Sequence, residues 1–212
     1  MGDILLHTPL HFFYSARVML TFPKQWTIFD VETTGLSPTS GDRIIEIAGV
    51  HIKDGTILQQ SSFASLVNPH REISWEAASI NGITNEEVAK AQSIEQILPQ
   101  FLSFAEGSLL VAHNASFDLS FLDVEKEMCW GYIDIPECFC TMQLSRKLFP
   151  HEFRHNLDVV AKRLGFDNGS IVRHRALPDV LLTAKVFLAL LQQGKFTSLE
   201  ELRAAAGMKV VA

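Results

Sequence analysis

The stretch Trp26-Thr27-Ile28-Phe29-Asp30-Val31-Glu32 constrains this chain more than any other. A run rich in aromatic and β-branched residues reads as a buried strand. Residues i and i+2 of a strand point to the same side. Asp30 and Glu32 therefore leave one face of a sheet together, at the end of a segment that is otherwise apolar. Thr33-Thr34-Gly35-Leu36 then turns the chain away. Two anions held this close repel unless a cation sits between them, and hard cations prefer carboxylate oxygens. The pair predicts a metal site, provided that further carboxylates converge on it.

The segments around it set the architecture. Arg43–Ile52 is a second strand, Lys53-Asp54-Gly55-Thr56 a turn with an Asp-Gly pair, and Ile57–Val67 a third strand. The short intervals favour antiparallel pairing of these three. Beyond them the period changes to that of helices. Ser93–Ala105 is helical in pattern, with Pro99 the residue that argues for caution there. Leu109–Ala112 is a short buried strand, followed by a helix over about Ala115–Glu127. Helices are also expected at Thr141–Leu148, His155–Leu164, Ala176–Gln193 and Ser198–Ala205. A meander followed by strand–helix alternation predicts an α/β protein whose mixed sheet is flanked by helices. The chain length of 212 residues suits one such domain, over residues 26–212.

Two further segments bring acids to helix starts. In His113-Asn114-Ala115-Ser116-Phe117-Asp118, where a strand passes into a helix, Asn114 and Asp118 are expected on one helical face, as are His113 and Phe117. Ligands of α/β sheets gather beyond such strand ends. In His174-Arg175-Ala176-Leu177-Pro178-Asp179, Pro178 belongs to the first turn of a helix, so Asp179 lies near its start. His174 precedes it, and an ordinary imidazole titrates close to the range a general base needs. Taken singly, Asp118 reads as a helix-dipole acid and Asp179 as a capping acid.

Taken together, the three segments resemble the DEDDh group of 3′-to-5′ exonucleases, and within it the branch of the proofreading epsilon subunit of bacterial DNA polymerase III. Phe29-Asp30-Val31-Glu32-Thr33-Thr34-Gly35-Leu36, His113–Asp118 and His174–Asp179 carry the likeness in order, with Ile80-Asn81-Gly82-Ile83-Thr84 similar to a linking motif in which Asn81 often corresponds to a histidine. The resemblance covers about Thr27–Leu191 and shows no polymerase-docking C-terminal tail. It implies an RNase H-like, mixed five-stranded sheet and two divalent cations, Mg²⁺ or Mn²⁺, bound by Asp30, Glu32, Asp118 and Asp179. His174 would be the general base. Thr33, Thr34, Leu36, Ile83, His113, Asn114 and Phe117 would bind the terminal nucleotide of a single-stranded 3′ end, with DNA favoured over RNA. Arg173 and Arg175 flank His174 and are candidates for phosphate contact, with a solvated charge pair the expected role of at least one of them. An RNA-directed exonuclease of the RNase T or oligoribonuclease kind and a non-catalytic interaction module are the competing readings.

The composition narrows the partners. A formal charge of −6 argues against broad neutralisation of duplex phosphates. It does not exclude a carboxylate-rich site that takes a few nucleotides, and the resemblance implies a DNA polymerase or repair assembly as partner. Cys129, Cys138 and Cys140 are too few for a disulfide framework and read as buried thiols in a reducing, cytoplasmic setting. Residues 1–25 fit neither a signal peptide nor a membrane span. They read as a packed amphipathic extension, a docking or dimerisation arm, or a segment upstream of a start at Met19.

Overall fold

The computed structural model describes residues 22–129, 134–166 and 174–207. The expectations for residues 1–21 and for Arg173 therefore lie outside the described residues. Five strands form one sheet: β1 (Gln25–Thr33), β2 (Ile44–Lys53), β3 (Thr56–Leu66), β4 (Leu109–Ala112) and β5 (Cys138–Cys140), in the order β3-β2-β1-β4-β5. The β1–β2 and β2–β3 pairs are antiparallel, while β1–β4 and β4–β5 are parallel. This is the mixed sheet of the expected fold. Asp54 and Gly55 form the two-residue β2–β3 turn at φ 49° and 76°, the geometry that makes Asp-Gly a hairpin signal.

Helices cover both faces. Described in chain order they are α1 (Trp75–Asn81), α2 (Asn85–Ala89), α3 (Ile94–Phe104), α4 (Ala115–Met128), α5 (Thr141–Leu148), α6 (Leu157–Arg163), α7 (Ala176–Gly194) and α8 (Leu199–Ala206). Strand alternation divides the core. Trp26 and Ile28 of β1 join Ala48, Val50 and Ile52 of β2 against Val180, Ala184 and Phe187 of α7. Phe29 and Val31 face the other way, onto Leu98 and Phe101 of α3 and Phe121 of α4. The period-2 rule then sends Asp30 and Glu32 to the α7 face, beyond Ile28. Helix α7 is long and apolar enough to cross a membrane by length and composition, but most of it is buried against this sheet.

Some features of these elements have a clear physical cause. Pro99 does not break α3, because Ile97, Leu98 and Phe101 anchor the helix on both sides of it. Helix α6 starts at Leu157, not His155, since Asn156 is extended and its side chain accepts from the Val159 N–H at 3.2 Å. Helices α1 and α2 were not anticipated, and the fifth strand of the implied sheet falls at β5, a place no sequence pattern marked. The first two are short but capped, α1 by Ser74 and α2 by a Thr84/Glu87 capping box. Strand β5 spans three residues and carries no period of its own.

Candidate active site

The site is assembled where β1, β4 and α7 end or begin. Carboxylate oxygens of Asp30, Glu32 and Asp179 all lie within 4.8 Å of one another. Asp30 and Glu32 are half-buried and Asp179 is buried. Neither the strand pair nor the helix acid makes this group alone; α7 packs along the face from which Asp30 and Glu32 project, and its first turn ends over them.

Asp118 sits behind the group. The β1–β4 pairing ends at Ile28 with Val111. Three residues later the Val31 N–H donates to Asp118 Oδ1 at 3.2 Å, so the side chain is held directly behind the Asp30/Glu32 pair. It is 2 % exposed. Burial pushes its carboxyl up to about 8, and the hydrogen bonds from the Val31 and Asp118 N–H groups offset only part of that shift. Between the unfolded value of 3.8 and about 8, the cation-free folded state keeps a proton that the unfolded chain has lost. The Asp118 contribution to stability is thus fully present below 3.8 and declines as pH rises towards 8. Denaturant titrations in chelator from pH 4 to 8 should show this decline, and Asp118→Asn should flatten it. An unchanged slope in the variant would refute the assignment.

The other anticipated residues separate into outward and inward groups. Leu36 is 83 % exposed on the loop after β1. His113 is half-buried and held at both nitrogens, Nδ1 2.8 Å from Thr141 Oγ1 and Nε2 2.9 Å from the His155 carbonyl. Phe117 packs on Phe121 with centroids 5.0 Å apart and keeps part of its ring exposed. Asn114 corrects one expectation: it caps α4 in the left-handed region at φ 59° and is exposed, so it does not share a helical face with buried Asp118. His113 precedes the helix altogether. His174 is exposed, at φ 63°, immediately before Arg175, the N-cap of α7.

Thr33, Thr34 and Ile83 turn inward. Thr33 Oγ1 donates to the Gly35 carbonyl at 2.6 Å, and Thr34 Oγ1 donates to Asp42 Oδ1 at 3.2 Å while accepting from the Arg43 N–H at 3.1 Å. The Asp42 carboxylate occupies the space a Cβ on Gly35 would need, so a side chain there would push Asp42 off Thr34 and the Ser37 N–H. Ile83 is fully buried with Ile45, Ile73 and Val88, and presents no surface to a ligand. Asn81 bridges this cluster to the site, its Nδ2 donating to the Thr33 carbonyl at 3.5 Å.

Of the two roles open to Arg175, the structure shows a charge pair. It is not free for phosphates, because it pairs with Glu46 of β2, Nε at 3.0 Å from Oε2 and Nη2 at 2.7 Å from Oε1. A comparable pair, Arg43 with Glu125, ties α4 to the start of β2, Glu125 also accepting from the Ile44 N–H at 3.0 Å. Glu46 lies in the Arg43–Ala48 segment that belongs to the first motif, but neither it nor Glu125 has a role that the sequence shows, since a buried acid in a strand or helix is betrayed only by its distant partner. The three cysteines are buried and free of disulfides, as expected, and Cys138 and Cys140 lie in β5.

The family model for exonucleases matches residues 27–187. The chain belongs to this exonuclease family. The DNA polymerase III subunit epsilon-like protein of Rhodobacter capsulatus is 42 % identical over 166 residues, covering 78 % of this chain and 23 % of that protein. A PolC-type DNA polymerase III of Thermotoga petrophila is 38 % identical over 190 residues, covering 87 % of this chain and 13 % of that protein. The chain thus spans under a quarter of the length of either of these relatives. Among solved structures, exonuclease X in complex with 5′-overhanging duplex DNA superposes with a TM-score of 0.69 at 31 % identity, covering 85 % of this chain and 98 % of that one. The exonuclease domain described here accordingly has the RNase H-like fold of the 3′-to-5′ exonucleases, and divalent cations belong to that family's chemistry.

Proposed function

We propose that this chain is a metal-dependent 3′-to-5′ exonuclease that releases nucleoside 5′-monophosphates from DNA ends, in proofreading or in repair. One observation carries the reading: the convergence of Asp30, Glu32 and Asp179 within 4.8 Å in an exonuclease-family domain. Three clustered carboxylates are the donor set that Mg²⁺ or Mn²⁺ prefers, and they repel one another otherwise. Asp30, Glu32 and Asp179 hold two such cations, with Asp118 completing the set from behind. When bound, the cations supply charge stabilisation to the attacking and leaving oxygens of the phosphodiester. His174, exposed beside the start of α7, accepts the proton of the attacking water.

The terminal nucleotide is positioned by apolar and ring contacts that tolerate any base. Leu36 offers its exposed side chain from one wall, while His113, Asn114 and Phe117 line the other. Thr33 and Thr34 act by holding the loop that presents Leu36. Leu36→Ala should raise KM for oligonucleotides about tenfold with kcat little changed, the loss expected when an apolar contact of this size disappears. Equal KM values would remove Leu36 from the binding surface.

Preference for DNA and work beside a polymerase or repair partner are supported by relatives named for DNA polymerase III and by the DNA complex of exonuclease X. The charge of −6 agrees with grip on a strand end in place of a long duplex. Buried free thiols suit a reducing cytoplasm. Digestion of 5′-labelled single- and double-stranded DNA and RNA, with and without Mn²⁺, tests the reading. Stepwise shortening from the 3′ end, faster on DNA and abolished by chelator, is expected. Metal-independent hydrolysis or removal of the 5′ label first would overturn it.

A further inference from the structure

The start of α7 is fastened to the sheet at one buried point. Glu46 of β2 stands directly across from Glu32 in the β1–β2 register, on the same sheet face as Asp30 and Glu32. It is 6 % exposed and accepts three hydrogen bonds, from Arg175 Nε at 3.0 Å, Arg175 Nη2 at 2.7 Å and the Ala176 N–H at 2.9 Å. Arg175 is the N-cap of α7 and Ala176 its first residue. The capping side chain that Arg175 cannot supply is replaced by the carboxylate of a neighbouring strand, which also suits the positive end of the helix.

Asp179 lies within the first turn beyond this contact. A helical turn is stiff, so the place where Ala176 touches β2 dictates how far the Asp179 carboxylate stands from Asp30 and Glu32. Like charges push those groups apart before any cation arrives. The guanidinium of Arg175 opposes that push, since it neutralises Glu46 and lies close enough to Glu32 to interact with its charge. Its bidentate fork also fixes direction in a way that a single ammonium cannot.

We infer that the Arg175–Glu46 pair is a positioning latch that presets the spacing of Asp179 against Asp30 and Glu32 and thereby sets the cation affinity of the site. The inference rests on the metal-site reading above and adds to it two residues outside the Asp30/Glu32/Asp179 group. Its test is Mn²⁺ binding by isothermal titration calorimetry, run at a temperature where circular dichroism shows every variant folded. Arg175→Gln should weaken Mn²⁺ binding about tenfold or more, Arg175→Lys should recover part of the loss, and Glu46→Gln should weaken it severalfold while still accepting from the Ala176 N–H. The double variant should lose little more than Arg175→Gln alone, because both changes break one contact.

Arg203 provides the control. It makes a comparable two-bond pair with Glu137, at 2.6 and 2.8 Å, where α8 meets the start of β5. Arg203→Gln should leave Mn²⁺ affinity unchanged whatever it does to the melting temperature. Glu46→Gln carries the test should Arg175→Gln fail to fold. Folded Arg175 and Glu46 variants with wild-type Mn²⁺ affinity would make the pair merely structural and end the inference. A wild-type chain that binds no Mn²⁺ would instead overturn the metal-site reading, and this one with it.

Discussion

Asp30→Ala and Asp179→Ala should each lower nucleotide release at least about 10³-fold, because the charge stabilisation that bound cations supply is worth several kcal/mol of transition-state energy. The fold should survive either change. Both acids sit at the rim of the α7-facing core, whose packing is made by Trp26, Ile28, Val180 and Phe187. A second consequence separates this account from simple damage. In chelator, removing one member of a mutually repelling trio should raise the melting temperature by about 2–4 °C for each kcal/mol relieved. Added Mn²⁺ should stabilise the wild type and leave the variants nearly unmoved, since a ligand stabilises only the state that binds it. Mononucleotide release from a 5′-labelled strand, read beside thermal melts, checks both. Wild-type turnover in either variant would refute the assigned roles.

His174→Ala should reduce kcat by about 10²- to 10⁴-fold, the range for loss of a general base. Affinity for a single strand should change little, because the residue stands exposed beside α7, while the proposed strand contacts are Leu36, His113, Asn114 and Phe117. Equilibrium binding of a non-hydrolysable phosphorothioate oligonucleotide gives the affinity, and single-turnover kinetics give the rate. Collapsed binding with normal residual turnover would make His174 a binding residue. The contrast with the acids is informative: Asp179→Ala should lose metal-dependent stabilisation, whereas His174→Ala should keep it.

Much of this protein was readable before any coordinates. The alternation within Trp26–Glu32 is local, so it assigned Asp30 and Glu32 to one face whatever lay opposite. The Asp-Gly turn gave the β2–β3 hairpin, and the apolar content of Ala176–Gln193 marked the helix that covers the sheet. The order of the acidic motifs pointed to the family to which the chain belongs.

What tertiary structure alone decided is which side chains face which way. Thr34 and Ile83 have the right types and spacings for a nucleotide wall, yet Thr34 closes its own turn and Ile83 is sealed beneath α1 and α2. Asp118 was expected beside Asn114 and lies instead behind β1, drawn there by a backbone N–H that the parallel ladder no longer serves. Arg175, for which phosphate contact and a charge pair were both open, is claimed by Glu46 from a strand far away in the chain. Periodicity is a property of near neighbours and is written in the sequence. The burial of a charge is tolerated only when a partner arrives from elsewhere, and that partner is known only once the chain has folded.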